Sequence, residues 1–385
     1  MRFFHTAGAA LLIASGLLSG CATSLDRAGV PNIAQGTIGF LQLRQLEMAG
    51  KISPALERRM LERMGARPRP HVVVSSRAVV GLWAIVASAY TFIFGENAKG
   101  NKTVTAIDVQ SNGCVGPSDL KVDHAENLWL ACGSSPSDAG VIQAYPPGSK
   151  KPTGTFPDSF TCGEGCYFDA NANDVATDSS GHVFAANPFS ETCDPSCTDW
   201  TYPLVWWNAK SPSSPATGIA EPDMTNGDYI DVDPSGNLYV EGYGCIDSQC
   251  GAMLDEIGDP TTTSPRITHL IAPSSPSSSV GALYVSNKGR VLNLVDSGSR
   301  TMLQYALPWV SHESPFNVLG PTPTNYYGGG YPIAGGFDRA DKLAVLGDAY
   351  GWLDVGKVAK NRWSAVTNVN LFPGVLSAAY VPSDK

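Results

Sequence analysis

Apolar and polar positions alternate along most of this 385-residue chain, in short runs interrupted by turn residues. One phrase recurs: a strand-like run, an Asp or Ser, a tight polar turn, then a second alternating run. Its copies start at Asp123, Asp178, Asp233, Ser286 and Asp338, at intervals of 55, 55, 53 and 52 residues. The third, Asp233-Pro-Ser-Gly-Asn-Leu-Tyr-Val, shows the logic. Asp bonds the backbone two residues on, Gly supplies a positive φ without a Cβ clash, and Leu-Tyr-Val begins a strand of period two. A supersecondary unit repeating every 40 to 55 residues predicts a radial array of small sheets, with each turn joining the first two strands of a unit.

The ends supply the missing unit. The tail Leu376-Ser-Ala-Ala-Tyr-Val reads as an inner strand, while Ala89-Tyr-Thr-Phe-Ile-Phe and Lys102-Thr-Val-Thr-Ala-Ile-Asp-Val read as outer strands lacking one. Pairing them closes a ring and removes exposed sheet edges, which predicts an all-β, six-bladed β-propeller over 72–385, with seven blades as the alternative. Ala78 to Phe94 holds 17 residues without a charge. Its Val, Ile, Tyr, Phe and Trp content, broken by Gly81 and Ser88, favours two buried strands over a membrane-spanning helix.

Gly116-Pro-Ser-Asp-Leu-Lys-Val-Asp123 and Asp233-Pro-Ser-Gly-Asn-Leu-Tyr-Val240 resemble the blades of NHL-type and SMP-30-like six-bladed propellers. The resemblance implies an axial channel lined by the starts of the inner strands. In SMP-30-like lactonases such a channel holds one metal ion on Glu, Asn and Asp.

The amino terminus carries a different signal. Arg2, the apolar stretch Ala7 to Leu18, and Leu18-Ser-Gly-Cys21 resemble the signal and lipobox of bacterial lipoproteins. Residues 1–20 are then a signal peptide, and Cys21 becomes the lipidated first residue of the mature chain. Ala22 after the cysteine implies the outer membrane. Residues 21–71 form a linker, with one helix expected from Ser53, its N-cap, to the stop at Gly65. Positions 22–71 carry eight Lys or Arg against four acids. Set against the chain's −9, that excess and Arg2 leave −14 on 72–385, so an acidic globule follows a basic tether suited to anionic headgroups. Such a globule, exported, is not a nucleic-acid binder.

Eight cysteines remain: Cys114, Cys132, Cys162, Cys166, Cys193, Cys197, Cys245 and Cys250. An even count in an exported chain suits disulfides. The expected pairs are 114 with 132, 162 with 166, 193 with 197, and 245 with 250. Four zinc-binding thiolates at 162, 166, 193 and 197 are the competing reading.

Chemistry is sparse. Four positions before each turn residue stand Asp119, Asp174, Tyr229, Ala282 and Ala334, with Asp228 one step earlier. Asp119, Asp174 and Asp228 are candidates to hold one divalent cation, calcium, at the channel, or to bond backbone amides there. His124 and His182 fall in blade turns, Trp206-Trp207 in a strand core, and Tyr326-Tyr-Gly-Gly-Gly-Tyr331 in an aromatic loop. There is no Gly-x-Ser-x-Gly elbow, His-Glu-x-x-His helix or phosphate loop. Two functions are consistent with this: a monomeric, membrane-anchored scaffold binding a protein, peptide or glycan through loops such as 133–140, 188–202 and 258–266; or a metal-dependent lactonase or lyase working in the channel. No complete ligand set can be read from the strand starts, which favours the non-enzymatic scaffold.

Overall fold

In a computed structural model, the described residues run from 80 to 381 apart from connecting stretches, the longest being 133–140, 193–202 and 320–331. The signal peptide, Cys21, the linker helix, Cys162, Cys166, Cys193, Cys197 and the Tyr326–Tyr331 loop lie outside them.

Six four-stranded antiparallel sheets follow one another around a common axis. Their innermost strands are Pro117–Val122 in blade I, Asp174–Thr177 in blade II, Met224–Val232 in blade III, Val280–Val285 in blade IV, Pro332–Phe337 in blade V and Val375–Tyr380 in blade VI. Each of these strands touches both of its neighbours, and the last touches the first, so the ring is closed at six. Closure takes the expected form: Val375–Tyr380 pairs with Leu82–Val86, which continues to Phe92–Glu96 and Thr103–Asp108. The uncharged stretch after Ala78 thus contributes two strands, not a span, and no described helix is long and apolar enough to cross a bilayer.

Among the described residues the core is six clusters, one at each junction between blades. The strand Leu128–Cys132 explains why: all five residues are buried, although their side chains alternate in direction. Leu128, Leu130 and Cys132 pack on blade VI beside Ile85, Ile93 and Ile107, whereas Trp129 and Ala131 pack on blade II beside Val183, Val205 and Trp207. A strand covered on both faces needs apolar residues at consecutive positions. The cluster of Ala282, Tyr284, Val295 and Met302 with Phe337 joins blades IV and V in the same way, and that of Leu82, Ala84, Val345 and Val355 joins V and VI.

The recurring turns behave as their residues dictate. Asp233 Oδ1 accepts from the amides of Ser235 and Asn237 at 2.8 and 2.9 Å, and its Oδ2 accepts from Asn237 Nδ2. Asp123 repeats the pattern and adds a bond from Trp129 Nε1 at 2.9 Å. Asp178 holds the ring of His182 at 2.7 Å, so that histidine serves its turn. Gly236, at φ 88°, occupies the left-handed position; Glu126 and Asp341 hold the equivalent position at φ 64° and 55° without glycine's freedom.

Two expected disulfides, Cys114–Cys132 and Cys245–Cys250, are formed. One feature had no signal in the repeat: a small extra sheet of Ser159–Thr161, Tyr167–Ala170 and Ser190–Thr192, inserted around blade II. Its strands are only three or four residues long, too short to show a period.

Candidate functional site at the axis

Along the axis the inner strands are cross-linked by side chains. Asp174 of blade II accepts from its neighbour Val175 N at 2.7 Å and, through Oδ2, from Ile230 N of blade III at 2.8 Å. Asp231 of blade III accepts in turn from Val232 N at 2.9 Å and from Val285 N of blade IV at 2.7 Å. Between blades VI and I, Ser377 Oγ accepts from Leu120 N at 3.3 Å and donates in a short bond to Asp119 Oδ1. An inner strand has a free row of amides on its axial side, and a carboxylate or hydroxyl from the adjacent blade satisfies them. These residues therefore stitch blades together.

Lys121 enters the same ring. Its Nζ lies 3.7 Å from Asp174 Oδ1, 3.5 Å from the Ile230 carbonyl oxygen, and 5.0 Å from the centre of the Tyr284 ring. Burial alone would lower its pKa, but the carboxylates of Asp174, Asp231 and Asp119 outweigh that and raise it, so the side chain stays an ammonium. Asp174 moves well above the usual carboxylate range, first through burial and then through the neighbouring Asp119, with Lys121 opposing both. The two shifts are compatible: one ammonium is shared among more than one buried acid.

Asp119 and Asp174 thus come together, as their equal offsets from the turns suggest, while Asp228 joins a different group. Burial raises Asp228 to about 6, and Glu241 is driven well above its ordinary value by burial and then by Asp228. Glu241 Oε2 is buried without a hydrogen-bond partner among the described residues, as are Asp119 Oδ2 and the Tyr284 hydroxyl. Glu241, Lys121 and Asp231 were missed as axial residues. Glu241 is on the second strand of its blade, paired with Tyr229 next to the bulge that the first strand makes at Asp228. For Lys121 and Asp231 the signal existed: each stands two positions before its turn residue, one pleat away from Asp119 and Tyr229.

Toward the turn face the channel opens into a cavity of about 510 Å³, lined by Lys121, Asp231 and Tyr284, with Asp123, His124, Ala125 and Asp233 contributed by the turns. Its wall mixes these polar groups with apolar faces, among them Trp129, Phe337 and Tyr380. Beyond the axis, on the outer part of blade III, a second ionisable cluster gathers Glu221, Asp223, Asp255 and His269. Burial, then Asp255, raises Glu221 to about 7; burial raises Asp255 to about 6 against the pull of His269; and His269 is raised because Asp255 outweighs its own burial.

No protein-family model and no curated protein matches the chain. Among solved structures, it is similar to a hypothetical selenium-binding protein from Sulfolobus tokodaii, with a TM-score of 0.52, 10% identity, and 81% of each chain covered. A second similar structure is hydrazine synthase of Kuenenia stuttgartiensis, at a TM-score of 0.47 and 10% identity over 76% of this chain and 84% of that one. At such identities the first likeness speaks to architecture alone, and the architecture it supports is the six-bladed β-propeller.

Proposed function

We propose that the chain is an exported, non-enzymatic binding scaffold, anchored to the bacterial outer membrane through lipidated Cys21, which takes a peptide or glycan segment at the mouth of its axial cavity. The observation that carries this reading is the position of Lys121. Its ammonium stands among Asp119, Asp174 and Asp231, so a divalent cation placed on Asp119 and Asp174 would meet a fixed positive charge. The same acids already accept bonds that hold adjacent blades together. This supports a structural use of the channel acids over a metal-dependent lactonase or lyase. The cavity of about 510 Å³ sets carboxylates and imidazoles from the turns beside Trp129, Phe337 and Tyr380, a mixed lining suited to a peptide or glycan.

The test probes the mature, detergent-solubilised chain on arrays of short peptides and glycans, beside Ala125→Trp, which places an indole over the mouth from an exposed turn position. Ligand retention by the wild type and its loss in Ala125→Trp are expected. Cation-dependent lactone hydrolysis abolished by Asp119→Ala/Asp174→Ala would overturn the reading in favour of the enzyme. Incorporation of labelled fatty acid into the wild type but not Cys21→Ala tests the anchor.

A further inference from the structure

We propose that Glu221, Asp223 and His269 form a divalent transition-metal site on the outer part of blade III, with Asp255 positioning the imidazole. The proposal does not rest on the axial-cavity reading.

The geometry begins with a cross-strand pair. Asp255 and His269 face each other on the third and fourth strands, Gln249–Gly258 and Arg266–Ser274. Asp255 Oδ1 is 2.9 Å from His269 Nδ1, which fixes the tautomer and turns Nε2 toward Asp223. A carboxylate behind a histidine is the usual outer-shell arrangement of a metal-bound imidazole. Nε2 lies 3.4 Å from Asp223 Oδ2. That is long for a hydrogen bond, but two ligands about 2.0–2.1 Å from a tetrahedral ion stand about 3.4 Å apart. A ligand atom of Glu221 completes the set, and all three atoms lie within 4.8 Å of one another.

Independent support comes from oxygens without partners. Glu221 is fully buried, its Oε1 accepts from Asp223 N at 3.1 Å, and its Oε2 has no hydrogen-bond partner among the described residues. Asp255 is also fully buried, and its Oδ2 is likewise unpartnered. A buried carboxylate oxygen lacking a donor is costly, and a cation held beside Asp223 and His269 is the partner that would answer Glu221 Oε2.

The segment bearing Glu221 and Asp223 is held in place. Cys245 N donates to the Asp223 carbonyl at 2.7 Å, within the hairpin closed by Cys245–Cys250. A Cβ on Gly244 would come 2.1 Å from that same carbonyl oxygen, so only glycine allows the approach. His269 and Asp223 stay about one-third exposed, at 32% and 39% of their side chains, which leaves an open coordination position on the solvent side. One imidazole nitrogen with carboxylate oxygens suits zinc, manganese or cobalt; calcium and magnesium take all-oxygen sets.

The test uses the full mature chain with oxidised cysteines and alkylated free thiols, stripped with chelator and titrated with Zn²⁺ alone by calorimetry and with Co²⁺ by visible absorption. One ion per chain is expected, with no competition from Ca²⁺. His269→Ala should abolish stoichiometric binding, and the near-isosteric Glu221→Gln should do the same if His269→Ala fails to fold. Asp255→Asn should keep the stoichiometry and weaken affinity roughly 10–100-fold. No zinc uptake by the stripped chain, or equal uptake by wild type, His269→Ala and Glu221→Gln, would overturn the site; unchanged affinity in Asp255→Asn would remove the positioning role.

Discussion

Replacing Lys121 with Met tests whether charge or packing holds the axial ring. Met retains most of the apolar stem but removes the ammonium that Asp174, Asp231 and Asp119 share. At 3.7 Å the attraction to Asp174 alone is about 4 kcal/mol in an effective dielectric of 20. Removing one partner of a buried pair typically costs about 3–5 kcal/mol, because the other charge stays behind. The lower end applies, since the Lys121 side chain is 16% exposed at the cavity wall and water can reach it. The expected loss at pH 8 is therefore about 3 kcal/mol. The pH dependence gives the sharper check. Asp174 already titrates well above the usual carboxylate range in the folded chain, so its burial costs stability as pH rises through that folded value. Losing Lys121 moves it higher still. At pH 5 a larger fraction of Asp174 is protonated, less charge is stranded, and the penalty should be smaller than at pH 8. Urea unfolding of wild type, Lys121→Met, Asp174→Asn and the double variant at both pH values forms a cycle in which coupling of at least about 1 kcal/mol is expected at pH 8. Equal losses at both pH values with additive single variants would refute the argument and leave stacking on Tyr284 as the role of Lys121.

Three further outcomes follow from local geometry. Glu241→Gln should stabilise the protein at pH 8, where a buried carboxylate with an unpartnered oxygen loses its charge, and change little at pH 4, where burial keeps that group protonated; equal effects at the two pH values in thermal melts would contradict this. Gly236→Ala should cost about 1–3 kcal/mol because φ is 88°, while Asp341→Gly at the equivalent turn position should be neutral or gain up to about 1 kcal/mol; urea midpoints compare them directly. Removing Cys114–Cys132, which closes a separation of 18 residues, should cost about 3 kcal/mol, against about 2 kcal/mol for Cys245–Cys250 with a separation of 5, measured on paired Cys→Ala variants.

The blade plan was legible because its determinants are local. Asp at the turn, Gly or its substitute at the left-handed position, and alternation after it act within eight residues, so five copies could be read from the chain. Even the closing blade was legible, since strands without an inner partner at one end and an inner strand without partners at the other imply each other. Two of the locally expected cysteine pairs are formed, although spacing alone does not fix connectivity. Some axial chemistry was legible too: equal offsets from the turns placed Asp119 and Asp174 together. What the chain alone determined was therefore the repeating hairpin and the pairing of its two ends; the choice of six blades over seven was made by the closed ring of inner strands. The tertiary structure decided the rest. It placed Lys121 between acids from blades I, II and III, and set Glu241 close enough to Asp228, beside a strand bulge, for their charges to interact. It brought Glu221, Asp223, Asp255 and His269, spread over 49 positions, to one patch of blade III. Turn chemistry is set by neighbours in sequence, whereas the charge of an acid and the direction of an imidazole depend on which strand lies opposite, and that is fixed only when the blades pack.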